Sequence, residues 1–262
     1  MNSHGSPFAD RVYVVTGSTQ GIGEAIATSL ARAGAAGIVI CGRNMENGAR
    51  VKAALEAVGA SVEFVPTDLE IPDDCRRIVR ACDERFGRVD GLVNAAGLTD
   101  RGTIEDTSLE LWDRMFAINT RAPFLLMQEA IGVMKREGHG GAIVNIVTMS
   151  SHGGQPKLTA YCASKGALAT LTKNVAHAVR FDRIRVNGVN IGWTATPNEH
   201  RIQLAEGQPE NWLARAEAEQ PMGRLITTGD VANITLFLLG PDSGVMTGSV
   251  IDCDQMVMGA YE

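Results

Sequence analysis

The sequence predicts an α/β fold, a single doubly wound domain in which a parallel sheet of about seven strands carries helices on both faces. Short apolar runs of strand length alternate along the chain with segments whose apolar residues recur at helical spacing. The strand runs are apolar throughout, as expected of parallel strands that are covered on both faces. No linker, repeat or low-complexity tract divides residues 1–262, so we expect one domain.

The alternation can be followed from one end of the chain to the other. The predicted strands are Val12–Thr16, Gly37–Cys41, Val62–Pro66, Val89–Asn94, Ala142–Thr148, Ile184–Ile191 and Val250–Cys253. Six helices are predicted between these strands. Three are predicted by range, Glu46–Val58, Tyr161–Arg180 and Asp230–Leu239. The other three are a first helix with Ile22, Ile26 and Leu30 on one face, a helix that begins at Pro72, and a long helix capped by Ser108. We expect residues 1–9 to be flexible and the polar stretch 196–222 to be an irregular, lid-like insert over the mouth of the sheet.

Composition excludes several classes of protein. Lys and Arg total 24 against 30 Asp and Glu, a formal charge of −6, which disfavours nucleic acid and anionic membrane surfaces as partners. No apolar run is long enough to span a membrane, and the polar segment Met1–Pro7 does not resemble a secretory signal. The 5 cysteines are scattered without a CxxC pair, so we expect a reducing cytoplasm and no metal site.

A glycine-rich turn follows the first predicted strand. It reads Thr16-Gly17-Ser18-Thr19-Gln20-Gly21-Ile22-Gly23 and opens the first predicted helix. Glycines permit a tight turn and a close approach of backbone to phosphate, and the helix N-terminus offers free N–H groups and a positive dipole end. The spacing is GxxxGxG rather than the GxGxxG of the standard fingerprint. Its place after the first strand nevertheless predicts a dinucleotide site that includes Gly17, Ser18, Thr19, Gly21, Ile22 and Gly23.

The second predicted strand ends near the position that distinguishes NAD from NADP. An acidic residue there binds the ribose 2′-hydroxyl of NAD, whereas an arginine suits the 2′-phosphate of NADP. Here the chain reads Cys41-Gly42-Arg43-Asn44, with no carboxylate, and Arg43 offers a planar guanidinium for bidentate contact. This favours NADP, with NAD as the alternative.

Tyr161 and Lys165 are spaced i, i+4 and therefore share one face of a predicted helix. A nearby ammonium favours the phenolate, so the pair could exchange a proton with an alcohol or a carbonyl. Asn119 lies four residues before Pro123, which has no N–H to donate to the Asn119 carbonyl. We therefore expect a kink there and a free carbonyl oxygen.

These motifs resemble the short-chain dehydrogenase/reductase family. The resemblance rests on the glycine turn, Asn94-Ala95-Ala96-Gly97, Asn119, Tyr161-Cys162-Ala163-Ser164-Lys165 and Asn190-Ile191-Gly192, all in order and spacing from about Asp10 to Cys253. It implies a Rossmann fold and a dinucleotide cofactor. It also implies that Asn119, Tyr161 and Lys165 are catalytic, and that Lys165 holds the nicotinamide ribose. The further cofactor contacts that it implies are Asp68, Leu69, Asn94, Tyr161, Thr194 and Thr196.

One catalytic position departs from the family pattern. The family places a serine thirteen residues before the tyrosine, and the same count here reaches Thr148. Threonine keeps the hydroxyl, but its methyl group narrows the space beside the nicotinamide. Ser150 and Ser151 are nearby alternatives, and we expect Thr148 to fill the role.

The substrate is expected at the carboxyl ends of the strands. The predicted substrate contacts are Thr148, Ser150, His152, Tyr161 and Trp193, with Gln155, His200 and Trp212 on the same loops. Their polarity favours a hydroxylated small molecule such as a sugar, polyol or hydroxy acid. A 3-oxoacyl thioester is the alternative, with Arg201 or Arg215 as cations for its phosphate.

The sequence therefore predicts an NADP(H)-dependent oxidoreductase that interconverts alcohol and carbonyl groups. A non-catalytic dinucleotide-binding protein is the alternative from another class. The resemblance also implies a homo-oligomer, a tetramer or a dimer, built on the long helices after the fourth and fifth strands. The apolar row Phe124, Met127, Ile131 and Met134 would suit such an interface or an intramolecular core.

Overall fold

The computed structural model describes residues 6–258, and within them one parallel sheet has seven strands. The strands are β1 (Val12–Val15), β2 (Gly37–Gly42), β3 (Ser61–Pro66), β4 (Gly91–Asn94), β5 (Gly141–Ile146), β6 (Ile184–Ile191) and β7 (Val250–Cys253). Their order across the sheet is β3-β2-β1-β4-β5-β6-β7, and every pairing is parallel. The predicted doubly wound fold is confirmed, with its topological switch point between β1 and β4.

Helices cover both faces of this sheet. Within the described residues they are α1 (Gly21–Arg32), α2 (Met45–Glu56), α3 (Pro72–Phe86), α4 (Leu109–Phe116), α5 (Ala122–Glu137), α6 (Thr159–Ala178), α7 (Pro197–Ala205), α8 (Trp212–Ala218) and α9 (Thr228–Leu239). Alternate residues of β1 serve two separate cores: Tyr13 and Val15 pack with α1 and α9, and Val12 and Val14 pack with α3 and α5. Both faces of the strand are therefore buried, which is why it is apolar throughout.

The long helix predicted after Ser108 contains a π-helical segment, Ala117–Arg121, between α4 and α5. Ser108 is the N-cap, and its side chain accepts a hydrogen bond from the Leu111 N–H. The Ala122 N–H bonds to the Ala117 carbonyl, five residues back. Pro123 cannot donate an N–H, so a wider turn accommodates it where we predicted a kink.

Three sequence-based predictions need correction. The stretch 196–222 is not irregular, because it contains helices α7 and α8. Residues 6–9, predicted to be flexible, are anchored: Phe8 is buried against Tyr13, with ring centroids 6.0 Å apart, and Ala9 pairs with Ala35. The remainder of that prediction, residues 1–5, lies outside the described residues. The fifth strand ends at Ile146, so Thr148 lies beyond it as the N-cap of a short 3₁₀ turn, Met149–His152.

Candidate active site

The glycine turn between β1 and α1 is packed so closely at Gly17 and Gly23 that a side chain would not fit at either position. A Cβ atom on Gly17 would lie 2.7 Å from the Ala96 Cα, and Gly17 has a positive φ of 63°. A Cβ atom on Gly23 would lie 2.4 Å from the Gly17 carbonyl oxygen. The turn is therefore held against both α1 and the segment that follows β4, at the switch point of the sheet.

The Ser18 and Thr19 side chains of the turn make their contacts within the protein. The buried Ser18 hydroxyl donates to the Val15 carbonyl at 2.6 Å and accepts from the Cys41 N–H at 3.0 Å. The Ser18 N–H also donates to the Cys41 carbonyl. Thr19 packs against Gly42, where a Cβ atom would lie 2.6 Å from the Thr19 hydroxyl oxygen. Both donors of Ser18 therefore bind strand neighbours and tie β1 to β2, so any contact of Ser18 with a cofactor would need another of its atoms.

The N-terminus of α1 does offer free donors. Its first backbone hydrogen bond joins the Glu24 N–H to the Gln20 carbonyl, so the N–H groups of Gly21, Ile22 and Gly23 precede the helical ladder. Gln20 makes no side-chain cap to satisfy them. Backbone donors at a positive helix end, beside a turn in which only glycine fits, suit the phosphates of a dinucleotide.

The other predicted cofactor residues line the same edge of the sheet. Arg43 is exposed just past β2, before Asn44 caps α2. Asp68 follows β3, and its carboxylate accepts the Glu70 N–H at 3.0 Å, while Leu69 packs on the core. Asn94, at the end of β4, donates to the Asn145 side chain at 2.8 Å. Its buried Oδ1 atom has no partner among the described residues, so this acceptor remains available to a bound group.

Tyr161 and Lys165 share the face of α6 that points to the ends of β4 and β5. Both are buried, and the Lys165 Nζ donates to the Ile146 carbonyl at 2.8 Å. A Cβ atom on Gly97 would lie 3.4 Å from this Nζ, so glycine leaves the ammonium room. Burial lowers the pKa of Lys165 to about 8.

Burial has the largest effect on the pKa of Tyr161 in the protein without a bound cofactor. Burial raises it to about 12, and the first opposing influence is a hydrogen bond with Thr148, with the charge of Arg101 also lowering it. The Lys165 ammonium, which we predicted to favour the phenolate, is not among these influences. At neutral pH the phenol is protonated, so in this state Tyr161 is a proton donor.

Asn119 lies in the π-helical segment and joins three parts of the site. Its side chain accepts the Leu98 N–H at 2.8 Å and donates to the Leu98 carbonyl at 2.9 Å. It also donates to the Ser164 hydroxyl at 3.1 Å. Asn119 therefore holds the segment after β4 against the helix that carries Tyr161 and Lys165.

Thr148 and Ser150 lie beside Tyr161. The Thr148 hydroxyl donates to the Ser150 hydroxyl at 3.2 Å, and the Ser150 hydroxyl donates to the Gln155 side chain at 2.6 Å. Thr148 and Ser150 are buried, and all three residues line one cavity with Tyr161. The structure thus brings the predicted threonine, rather than Ser151, next to the tyrosine. Ser151 instead donates to Asn190.

The cavity in front of Tyr161 has a volume of about 930 Å³. Trp193, 41% exposed, lines it and donates through Nε1 to Glu199 at 2.9 Å. Thr194 and Thr196 also line it, although the Thr194 hydroxyl donates to the Gly192 carbonyl and the Thr196 hydroxyl caps α7.

His152 does not line this cavity, and its role as a substrate contact stays a prediction. Its ring lies 3.5 Å from the Asp252 carboxylate and 3.2 Å from the Asn190 amide. His200 and Trp212 bond to each other at 2.9 Å and also lie outside the lining.

Sequence reasoning missed the charged residues of the cavity. Arg101, from the segment after β4, approaches Glu206 at 3.2 Å and Glu199 at 3.9 Å, both on or next to α7. No motif distinguishes these residues, because the pairing joins positions about 100 apart. The charged side chains that line the cavity are Arg101, Lys157, Glu199, Glu206, Glu219 and Asp254, four carboxylates against two cations.

Between residues 6 and 258, no cluster of three or more His, Cys, Asp or Glu side chains has the arrangement of a metal site. No helix in the same range combines the length and apolar character needed to cross a bilayer.

Comparison with known proteins places this geometry in a family. A family model described as enoyl-(acyl carrier protein) reductase matches residues 17–255. The D-beta-hydroxybutyrate dehydrogenase of Rhizobium meliloti is 36% identical over 258 residues, which cover 92% of this chain and 96% of that protein.

Solved structures of dehydrogenases and reductases are also similar to this chain. A short-chain type dehydrogenase/reductase from Mycobacterium ulcerans is 31% identical, with a TM-score of 0.85 over 95% of this chain and 90% of that one. The L-sorbose reductase from Gluconobacter frateurii, solved with NADPH and L-sorbose, is 28% identical, with a TM-score of 0.91 over 98% of this chain and 100% of that one. The chain therefore belongs to the short-chain dehydrogenase/reductase family, oxidoreductases that act on hydroxyl or carbonyl groups with a nicotinamide cofactor.

Proposed function

We propose that this protein is an NADP(H)-dependent oxidoreductase that interconverts a secondary alcohol and a carbonyl group in a small, uncharged, hydroxylated molecule. The observation that carries the proposal is the buried Tyr161, which lines the wall of a 930 Å³ cavity together with the buried Thr148. A protonated phenol in that position can donate to a carbonyl oxygen.

The side chains around Tyr161 have separable roles in this proposal. Tyr161 gives its proton to the carbonyl oxygen during reduction and takes it back during oxidation. The Thr148 hydroxyl orients the same oxygen, and Lys165 contributes a buried positive charge nearby. The bound nicotinamide ring supplies or accepts the hydride. Asn119 holds α6 against the segment after β4 through its hydrogen bonds to Leu98 and Ser164.

The residue that follows β2 supports NADP over NAD, whereas the glycine turn does not distinguish them. The free N–H groups at the start of α1 and the glycine turn suit the pyrophosphate of either cofactor. Arg43, at the tip of β2, suits the extra 2′-phosphate, and no acidic residue stands between Gly42 and Asn44 to repel it. The comparison structure of L-sorbose reductase also contains NADPH.

The charges of the cavity support an uncharged substrate. Four carboxylates face two cations there, so an anion pays a Coulombic penalty on entry. Arg201 and Arg215, which we considered as contacts for the phosphate of an acyl thioester, do not line the cavity. Arg201 instead donates to Asn198 on its own helix. These facts favour a sugar or polyol over a hydroxy acid or a 3-oxoacyl thioester.

The proposal is tested by initial rates of NADPH and NADH oxidation with matched ketones. The panel contains a ketose, a polyol-derived ketone, a 3-oxo acid and a 3-oxoacyl thioester. We expect the highest kcat/KM with NADPH and an uncharged hydroxylated ketone. Faster turnover of the acid or the thioester would refute the substrate class but keep the reaction. No turnover with tight NADPH binding would favour the non-catalytic alternative.

We further propose a homo-oligomer that uses the outer face of α4, α5 and α6. Of the apolar row predicted for this face, Met127 and Met134 are buried in the core, whereas Phe124 is 44% exposed. Phe124 and Phe116 line a groove of about 920 Å³ beside Leu171. A second copy of the chain would cover it. Light scattering after size-exclusion chromatography should give a dimer or tetramer mass, and a monomer at micromolar concentration would contradict this proposal.

We also propose that the protein works in the cytoplasm. All five cysteines are free, and Cys41, Cys75 and Cys82 are buried, which supports a reducing cytoplasm. Recovery of the protein in an oxidising compartment after cell fractionation would contradict it.

A further inference from the structure

Glu199, on α7, lines the cavity in front of Tyr161, and its two carboxylate oxygens differ in their contacts. The Oε1 atom accepts the Trp193 Nε1–H at 2.9 Å and the Gln203 amide at 2.7 Å, and an Arg101 nitrogen lies 3.9 Å from the same oxygen. Among the described residues, no group donates a hydrogen bond to the Oε2 atom. The protein therefore holds one oxygen of the carboxylate and leaves the other as an acceptor for a bound molecule.

The local sequence would ordinarily turn this carboxylate back onto its own helix. Thr196 is the N-cap of α7 and Glu199 is the third helical residue, which is the spacing of a capping box. Helix α9 begins with the same spacing, and there the Asp230 carboxylate accepts the Thr227 N–H at 2.8 Å. In α7 the Thr196 hydroxyl accepts the Glu199 N–H, but the Glu199 carboxylate bonds to Trp193 instead of returning to the N-cap. The carboxylate is thus directed away from the helix start and held at the cavity wall.

Two observations place Glu199 near the reacting end of the cavity. Its side chain is 16% exposed, against 33% for Glu206, which follows α7 and also lines the cavity. Burial has the largest effect on the pKa of Tyr161, and the negative charge of Glu199 is a further influence that raises it. Because the effect of a charge weakens with distance, Glu199 lies close enough to the phenol for one small molecule to contact both.

We propose that Glu199 is a specificity-determining residue, whose Oε2 atom accepts a hydrogen bond from a hydroxyl group of the substrate. This role rests on the proposed function, in which a hydroxylated ketone or alcohol reacts at Tyr161. A carboxylate accepts hydrogen bonds and donates none, so it binds a hydroxyl group but gives nothing to an ether oxygen. The hydrogen bond is charge-assisted, and a ligand that enters without a donor displaces water from the carboxylate without replacing its contact. Glu199 therefore selects a hydroxylated substrate over one that is alkylated at the same position.

Matched ketones that differ by one methyl group on oxygen test this role. The pairs are hydroxyacetone with methoxyacetone, and 4-hydroxy-2-butanone with 4-methoxy-2-butanone, so that the oxygen lies at two different distances from the carbonyl carbon. In each pair the ether keeps the oxygen as an acceptor but has no hydrogen to donate. The measured quantity is the ratio of kcat/KM for the hydroxy ketone to kcat/KM for its ether, with saturating NADPH.

The substitution Glu199→Gln replaces the Oε2 acceptor by a donor with little change in shape. Trp193 and Gln203 both donate to Oε1, so the amide oxygen stays with them and the NH₂ group takes the place of Oε2. We expect the better pair to give a ratio of roughly 30 in the wild type and roughly 3 in Glu199→Gln, because an amide N–H donates equally to a hydroxyl and an ether oxygen. The steric cost of the methyl group is common to both proteins, so the change in the ratio reports the contact.

Two further variants separate this contact from the charge of the cavity. Glu219 is exposed and lines the same cavity, so Glu219→Gln removes an equal charge and should keep the wild-type ratio. Glu199→Asp keeps the charge but shortens the side chain, which can then return to the Thr196 N–H as Asp230 returns to Thr227. The ratio should therefore fall in Glu199→Asp as it does in Glu199→Gln.

Three results would overturn the proposed role of Glu199. A wild-type ratio near one, or a ratio unchanged in Glu199→Gln, would show that the substrate hydroxyl group does not bind there. A fall in Glu219→Gln, or a wild-type ratio in Glu199→Asp, would show that charge rather than contact determines the preference. Faster turnover of aminoacetone than of hydroxyacetone, lost in Glu199→Gln, would assign the carboxylate to an ammonium group instead.

A binding measurement distinguishes this proposal from the proposed function. In Tyr161→Phe, which lacks the proton donor, NADPH fluorescence gives the Kd of each ketone for the NADPH complex, with and without Glu199→Gln. The preference for the hydroxy ketone should persist in Tyr161→Phe and fall about 10-fold in the double variant, and circular dichroism verifies that each variant folds. Undiminished turnover in Tyr161→Phe would overturn the proposed function, whereas equal Kd ratios with and without Glu199→Gln would overturn the role of Glu199 alone.

Discussion

The two halves of the active site are built differently. The cofactor half, around the glycine turn, is formed by backbone atoms in such close contact that an added Cβ atom on Gly23 would lie 2.4 Å from the Gly17 carbonyl. The substrate half is formed by side chains from several loops and from the segment 196–222, and α7 within it has no buried residue. Backbone packing defines the first half, whereas polar and charged contacts define the second.

The two halves also differ in how firmly they are joined to the core of the protein. β1, which leads into the glycine turn, is buried along its whole length. The insert contacts the rest of the protein through the buried Trp212, which stacks on Trp193 at 5.9 Å, and through Arg101 on the opposite wall. Substitutions in the cofactor half should therefore affect both stability and binding, and substitutions in the insert should mainly affect the substrate.

Three substitutions test this comparison of the two halves, and the largest effect among them is expected from the backbone packing of the cofactor half. Gly23→Ala introduces a methyl group where the structure has no room, so the turn must move away from α1. We expect the NADPH Kd to rise roughly 100-fold and Tm to fall by several degrees. Gly132→Ala, at an open position on α5, is the control and should change neither adversely. Wild-type binding in Gly23→Ala would show that the turn is not a rigid cofactor site.

A smaller effect is expected for Arg43, a side chain at the edge of the cofactor half. Arg43→Ala should raise the NADPH Kd about 10-fold, because a charge-assisted contact to the 2′-phosphate is lost. The NADH Kd should not change, since NADH lacks that phosphate. Fluorescence titration with both cofactors measures this difference. An equal loss for both cofactors would refute the assignment of Arg43.

The smallest effect is expected for Arg101, which pairs with Glu206 of the segment 196–222. Arg101→Ala removes the ion pair with Glu206 at 3.2 Å, a partly exposed contact of modest strength. We expect KM for the ketone to change about 3-fold, with the NADPH Kd and Tm unchanged. Arg201→Ala, on α7 but outside the cavity lining, serves as the matched control. A change in NADPH binding would mean that the two halves are not separable.

The same difference explains what the sequence could predict. The order of strands and helices, the glycine turn and the Tyr161–Lys165 pair depend on local spacing, and the structure contains them close to the predicted positions. The buried runs also identified the sheet, because each strand is covered on both faces.

Contacts between distant residues could not be predicted in this way. Arg101 reaches Glu206 across 105 positions, and the Ser18 hydroxyl accepts the Cys41 N–H across 23 positions. His152, close to Thr148 in sequence, faces Asp252 because the 3₁₀ turn after Thr148 directs it away from the cavity. Helices α7 and α8 were missed, since they are short, with 9 and 7 residues.

The central claim is that Tyr161 transfers the proton in a nicotinamide-dependent reaction. It is tested most directly by comparing kcat/KM for ketone reduction in the wild type and Tyr161→Phe, with the NADPH Kd of both measured by fluorescence titration. We expect a loss of activity of roughly 1,000-fold with an unchanged Kd, because phenylalanine fills the same space without the hydroxyl. Turnover within a few-fold of the wild type would contradict it.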